Sequence, residues 1–184
     1  MVKRLFATLL LSAALGAHAG GFTLSSATIK PGATLTEAQV YKGFGCAGGN
    51  VSPALKWSGA PSGTKSYAVT LYDPDAPTGS GWWHWIVYNI PAATTELPEG
   101  AGAVGGAAVP AGATSGRNDF GSAAFGGACP PAGDRPHRYV FTVYALKTDK
   151  IDVPGDASAA LIGFMVHANM LAKATLQTKY GRKK

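Results

Sequence analysis

Two short stretches place ionisable side chains at the ends of expected strands. Asp73-Pro74-Asp75-Ala76-Pro77 is followed by Trp82-Trp83-His84-Trp85, and Gly126-Gly127-Ala128-Cys129-Pro130-Pro131 is followed by His137-Arg138-Tyr139. A carboxylate, two imidazoles, a phenol and glycine N–H groups are the set that holds a small oxyanion such as a phosphate or a carboxylate. Pro74 and Pro77 fix φ at two places and make the first corner rigid. Asp73, at a strand end, points to the sheet rim, whereas Asp75 has an alternative task in accepting the N–H groups of its own Asx turn. Alternation puts His84, Ile86 and Tyr88 on one face of their strand and Trp85, Val87 and Asn89 on the other. His137 and Tyr139, two residues apart, leave one face, and Arg138 leaves the other toward the surface. In the second corner the backbone donors would be Gly127, Ala128 or Cys129, because prolines have no N–H.

Rival chemistries are weaker. Asp73, His84 and His137 also form the donor set of a 2-His-1-carboxylate metal site. They come from separate corners without HxH or HExxH spacing, so the anion reading ranks ahead and no metal is assigned. No G-x-S-x-G elbow is present, so no catalytic residue is assigned and the chain reads as a binding protein, not an enzyme. G-x-G-x-x-G occurs at 43–48 and 100–105, but neither copy joins a strand to a helix as a dinucleotide site requires, and no cofactor is assigned.

The elements that must position these residues are mostly short strands. Runs rich in β-formers predict strands over 22–29, 66–72, 85–90 and 138–146, separated by Gly- and Pro-rich turns. This is the pattern of a mainly β sandwich. Residues 100–116, almost entirely Gly, Ala, Pro, Ser, Thr and Val, read as a surface loop. One helix is expected over 157–175, capped by Asp156, with Leu161, Met165, Ala168 and Ala172 along one side. It would pack on one face of the sandwich, with His167 as a structural histidine.

The chain ends carry separate information. Lys3 and Arg4, the apolar run 5–15 and Ala17-His18-Ala19 make a signal peptide over 1–19, which leaves one domain over 20–184. The product is expected in the periplasm or secreted. The apolar run is too short to span a bilayer, so no membrane insertion is expected. The formal charge is +6, of which Lys3 and Arg4 supply two and Lys179, Arg182, Lys183 and Lys184 supply four. The body between is neutral, which argues against nucleic acid as a partner; the basic end reads as a frayed, solvated tail. The two cysteines, Cys46 and Cys129, admit either a disulfide or two buried thiols.

These motifs resemble the phosphatidylethanolamine-binding protein family, also called the Raf kinase inhibitor-like proteins. The resemblance rests on Asp73 to Pro77, on His84-Trp-Ile-Val-Tyr-Asn-Ile-Pro91 and on Gly127 to Pro131 with His137-Arg-Tyr-Val-Phe141. Phe44-Gly-Cys-Ala-Gly-Gly-Asn-Val-Ser-Pro53 and Asn118-Asp-Phe-Gly121 resemble motifs of its bacterial branch. The resemblance implies two packed antiparallel sheets with a helix near the C-terminus. It also implies a small anion pocket lined by Asp73, His84, His137 and Tyr139 and supported by Asp75 and the Cys129 backbone. Many eukaryotic members have Gly in place of Cys129 and continue into a further helix beyond Tyr180-Gly-Arg182, so their phospholipid partners are not carried over. Inhibition of a protease or kinase-like target, with the 100–116 loop and Trp82-Trp83 as contact surface, is the second functional reading.

Overall fold

The computed structural model describes residues 21–106 and 108–184, so the expected leader over 1–19 lies outside the described residues. The described residues form ten strands and one α-helix: β1 (Thr23–Ser25), β2 (Lys42–Gly43), β3 (Cys46–Ala47), β4 (Leu55–Ser58), β5 (Ser66–Asp73), β6 (Trp82–Pro91), β7 (Glu96–Leu97), β8 (Thr114–Gly116), β9 (His137–Leu146), α1 (Ala159–Ala168) and β10 (Met170–Tyr180). Five strands make one antiparallel sheet in the order β10-β9-β5-β6-β8, three make a second in the order β1-β4-β7, and β2 and β3 pair as a small hairpin. The fold is mainly β, as the strand pattern predicts.

The larger sheet is covered on both faces, which is why β5 and β9 are buried at nearly every position. On one face Val69, Leu71, Val87, Phe141 and Val143 meet Leu55 and Trp57 of the smaller sheet. On the other face Ala68, Ile86, Tyr88 and Tyr144 meet Ile162 and Val166 of α1. Each such aliphatic or aromatic side chain contributes about 1.5–3 kcal/mol on burial.

Four expectations are corrected. The helix is shorter than 157–175 and its cap is Ser158, whose side chain accepts from the Leu161 N–H at 3.1 Å. From Met170 onward the chain is strand β10, which pairs with β9 over its whole length. Ala174, Leu176 and Thr178 turn inward while Lys173, Gln177 and Lys179 turn out. That period-2 pattern, with a ladder partner at hand, outweighs helical propensity. The helix buries Ala159, Ile162, Gly163 and Val166, leaving Leu161 and Phe164 exposed. Strand β1 is only Thr23–Ser25, shorter than 22–29. The 100–116 segment closes on β8, which pairs with β6, and Ala101 is fully buried. The basic end is not frayed at its start: Lys179 exchanges hydrogen bonds with Ala33 and Leu35, and Arg182 bridges to Ala132.

Candidate functional site

Strand β6 carries one extra residue where it passes the end of β5. Leu71 pairs with Trp85 and Tyr72 pairs with Trp83, which leaves His84 without a partner. A β-bulge of this kind re-aims a side chain. It corrects the simple alternation: Ile86 and Tyr88 face the helix, but His84 swings to the side of Trp85, edge-on to Tyr139 at a ring separation of 5.2 Å. His137 and Tyr139 do share a face of β9, as their spacing predicts, and both are buried.

These residues converge on a cavity of about 290 Å³, near the small end of ligand sites. Asp73, His84, Cys129, His137 and Tyr139 line it with Phe44, Phe120, Trp82, Arg182 and prolines 77, 130 and 131. Of the residues expected at the site, Asp75 does not line the cavity, and neither do Gly127 and Ala128, whose N–H groups donate to Asn50 Oδ1 and to the Gln39 carbonyl. The Asp75 carboxylate accepts from the Arg138 backbone N–H at 2.8 Å and from the guanidinium at 2.8 and 2.9 Å. Those hydrogen bonds hold the carboxyl well below the usual carboxylate range. Arg138 is therefore the clamp that joins the two corners. The Asx contact belongs to Asp73, whose Oδ1 accepts from the Asp75 N–H at 2.8 Å.

The interior polar groups are largely committed. Asp73 Oδ2 lies 2.8 Å from His137 Nδ1, with both side chains 3% exposed, so the carboxylate is spent on an internal pair. His84 Nδ1 lies 2.8 Å from the Gly126 carbonyl and 3.1 Å from that of Gly127. Burial is the main cause that lowers the His84 pKa to about 4. The Tyr139 hydroxyl is buried without a hydrogen-bond partner among the described residues, and so is the Trp82 Nε1. Burial and then the Asp73 charge push the Tyr139 pKa up, so the phenol is a neutral donor. Among the described residues no group of three or more His, Cys, Asp or Glu side chains is arranged to hold a metal ion.

Three devices hold the second corner against the first. Cys46 and Cys129 form a disulfide with Cα atoms 6.1 Å apart, tying the β2–β3 hairpin and its Phe44 to the cavity wall. Asn50 accepts from the Gly127 N–H at 2.7 Å and donates to the Phe125 carbonyl at 3.1 Å. Gly127 itself permits the approach: a β-carbon there would run into the Gln39 carbonyl. Asn118 performs the matching task for β6. It donates to the His84 and Ala124 carbonyls at 3.2 and 2.8 Å and accepts from the Ser122 N–H at 3.0 Å. Asn118→Ala would leave buried backbone groups unpaired, and a loss of about 2 kcal/mol is expected in urea unfolding; a loss below about 0.5 kcal/mol would contradict that role.

Sequence reasoning missed several wall residues, Phe44, Thr78, Phe120 and Arg182 among them. Phe120 sits in the Asn118 to Gly121 motif and packs edge-on against His84 and Trp82 at 5.3 Å each. Arg182 reaches the Gly45 carbonyl at 2.9 Å and the Pro130 carbonyl at 3.3 Å. Phe120 carried a motif signal without a role. Arg182 carried no local signal, because it reads as one more charge in a basic tail.

A family model described as phosphatidylethanolamine-binding protein matches residues 25–181. The UPF0098 protein YbcL of Escherichia coli is 56% identical over 180 residues, 98% of each chain. The UPF0098 protein YbhB of the same organism is 49% identical over 157 residues, 85% of this chain and 98% of that one. The crystal structure of E. coli YbcL, described as a new member of the mammalian PEBP family, has a TM-score of 0.87 at 58% identity and covers 89% of this chain and 100% of that one. A structure of a Chlamydia trachomatis homolog has a TM-score of 0.72 at 29% identity, covering 89% of this chain and 99% of that one. With both signature corners meeting at one cavity, the chain belongs to the phosphatidylethanolamine-binding protein family.

Proposed function

We propose that this family member is an exported, non-enzymatic binding protein that holds a small anion, such as a phosphomonoester or a carboxylate, in the cavity of His84 and Tyr139. The observation that carries the reading is the cavity that the two corners enclose, lined by Asp73, His84, His137 and Tyr139, with the Tyr139 hydroxyl buried in its wall without a hydrogen-bond partner among the described residues. A buried donor in that state is costly unless a ligand supplies its acceptor. Trp82 and Arg182 line the same space. The Asp73 carboxylate is occupied by His137 and by the Asp75 N–H. Export is supported by the leader pattern over 1–19 and by the Cys46–Cys129 disulfide, a bond favoured in oxidising compartments.

The test is calorimetric titration with phosphate compounds and short carboxylates. Tyr139→Phe removes one donor from a buried site and is expected to weaken binding about tenfold or more. His84→Ala and His137→Ala are expected to weaken it further. Unchanged affinity in all three would overturn the site. Fractionation of cells producing the full chain tests export: product shortened by about the leader's length is expected outside the inner membrane. The protein-inhibitor reading loses one of its expected surfaces, because Trp82 is cavity wall and Trp83 packs beside Tyr72 and Gly163.

A further inference from the structure

The Cys46–Cys129 bond joins two unlike surroundings. Cys46 belongs to the β2–β3 hairpin, between exposed Gly45 and Ala47, and takes no part in the cavity wall. Cys129 is a wall residue, between buried Ala128 and Pro130. Both cysteines are partly exposed. Arg182 Nη1 lies 3.7 Å from Cys129 Sγ, and the guanidinium is held there by hydrogen bonds to the Gly45 and Pro130 carbonyls. No carboxylate among the described residues is within ion-pair distance of Arg182. Its charge is therefore left to act on the sulfur. The Gly43 and Phe44 carbonyls lie 3.7 and 3.6 Å from the same atom. They are neutral dipoles, and a full cationic charge at that range outweighs them for a departing thiolate.

Thiol–disulfide exchange proceeds by attack of a thiolate on one sulfur, and it is faster when the expelled thiolate is the more stable one. Attack at Cys46 expels Cys129 beside Arg182; attack at Cys129 expels Cys46, which has no such contact among the described residues. We propose that the bond is a thiol-exchange site of fixed polarity: Cys46 receives the incoming thiolate, Cys129 leaves, and the partner is a dithiol of the oxidoreductase class. The first partner thiolate forms a mixed disulfide with Cys46. The second displaces Cys46 and closes the partner's own disulfide. Two electrons pass to the protein, and the two thiol protons of the partner end on Cys46 and Cys129. The fold survives the cut, because the Tyr41 N–H still donates to the Ala128 carbonyl and the Gly48 N–H to the Tyr41 carbonyl, each at 3.0 Å. The hairpin tip changes. Phe44 is 72% exposed and has φ 48°, in the left-handed region that non-glycine residues rarely adopt, so untying Cys46 lets the tip relax away from the cavity wall. None of this depends on what the cavity holds.

Glutathione serves as the probe. The oxidised full chain is exposed to excess glutathione without denaturant, quenched early with iodoacetamide and mapped by mass spectrometry. Glutathione is expected on Cys46 and the alkyl group on Cys129, with the reverse pattern about tenfold rarer. Arg182→Gln should slow the exchange by about threefold or more and weaken that preference, and Arg182→Lys, which keeps the charge, should recover most of both. Hydrogen exchange of the wild-type protein after reduction by a dithiol gives a readout independent of the variants' folding. Residues 42–47 should exchange faster than in the oxidised protein, while β5 and β9 stay protected. Equal labelling of the two cysteines, glutathione mainly on Cys129, or an Arg182→Gln rate equal to that of the wild type would overturn the fixed polarity. Reduction only at urea concentrations that unfold the chain would overturn the exchange site and leave the bond a structural staple. Unchanged exchange over 42–47 would overturn the release of the hairpin.

Discussion

Replacing Cys46 and Cys129 together by serine is expected to lower the unfolding free energy by about 2–5 kcal/mol. The two cysteines are 83 residues apart in sequence, so the bond closes a long loop in the unfolded chain and removes much of its entropy. The folded hairpin has other attachments. The Tyr41 N–H donates to the Ala128 carbonyl at 3.0 Å, Arg182 donates to the Gly45 carbonyl, and Tyr41 stacks on Phe120 with ring centroids 4.1 Å apart. The serine variant should therefore keep its native spectrum at low urea and unfold at a markedly lower midpoint. Reducing agent should shift the wild-type curve in the same direction and leave the variant unmoved. A midpoint that stays put in both cases would show that the bond contributes little.

The second large effect is acid sensitivity set by His84. An unfolded histidine titrates near 6.5, whereas burial lowers this one to about 4 in the fold. Above pH 6.5 neither state holds the proton, and the full stability is present. Between pH 6.5 and pH 4 the unfolded chain takes up a proton that the folded chain refuses, so stability falls as pH falls, by about 3 kcal/mol in all. Asp75 acts in a lower window. Its hydrogen bonds to Arg138 depress its pKa, so its contribution is present above the usual carboxylate range and is lost as pH falls below it. Urea unfolding at pH 7.5 and 4.5 should show the His84 loss, and His84→Asn should remove most of that difference. An unchanged difference in the variant would assign the acid sensitivity elsewhere.

Legibility varied with the range of the interaction involved. Strands β5, β6 and β9 were readable because their β-branched and aromatic runs form strands in almost any sheet. The pairing of His137 with Tyr139 was readable because strand period is local. The face of His84 was not, because one unpaired residue opposite Leu71 and Tyr72 reverses the alternation. Strand β10 was read as helix because Leu161 to Ala172 also satisfies a helical period, and the ladder from β9 that decides the matter is invisible in a local window. Arg138 was read as a surface residue, which its half-exposed side chain satisfies, yet its partner Asp75 lies 63 positions earlier.

By itself the sequence determined the β-rich class, the two rigid corners and the types of group they carry, because proline geometry, glycine freedom and strand periodicity act over a few residues. Only the tertiary structure decided that the corners share one cavity, that Cys46 meets Cys129, that Arg182 is wall and not tail, and that His84 Nδ1 is held by the Gly126 and Gly127 carbonyls. Those outcomes depend on distant backbone groups finding hydrogen-bond partners in a buried space. Hydrogen-bond satisfaction in a packed interior is a property of the whole chain, not of any motif within it.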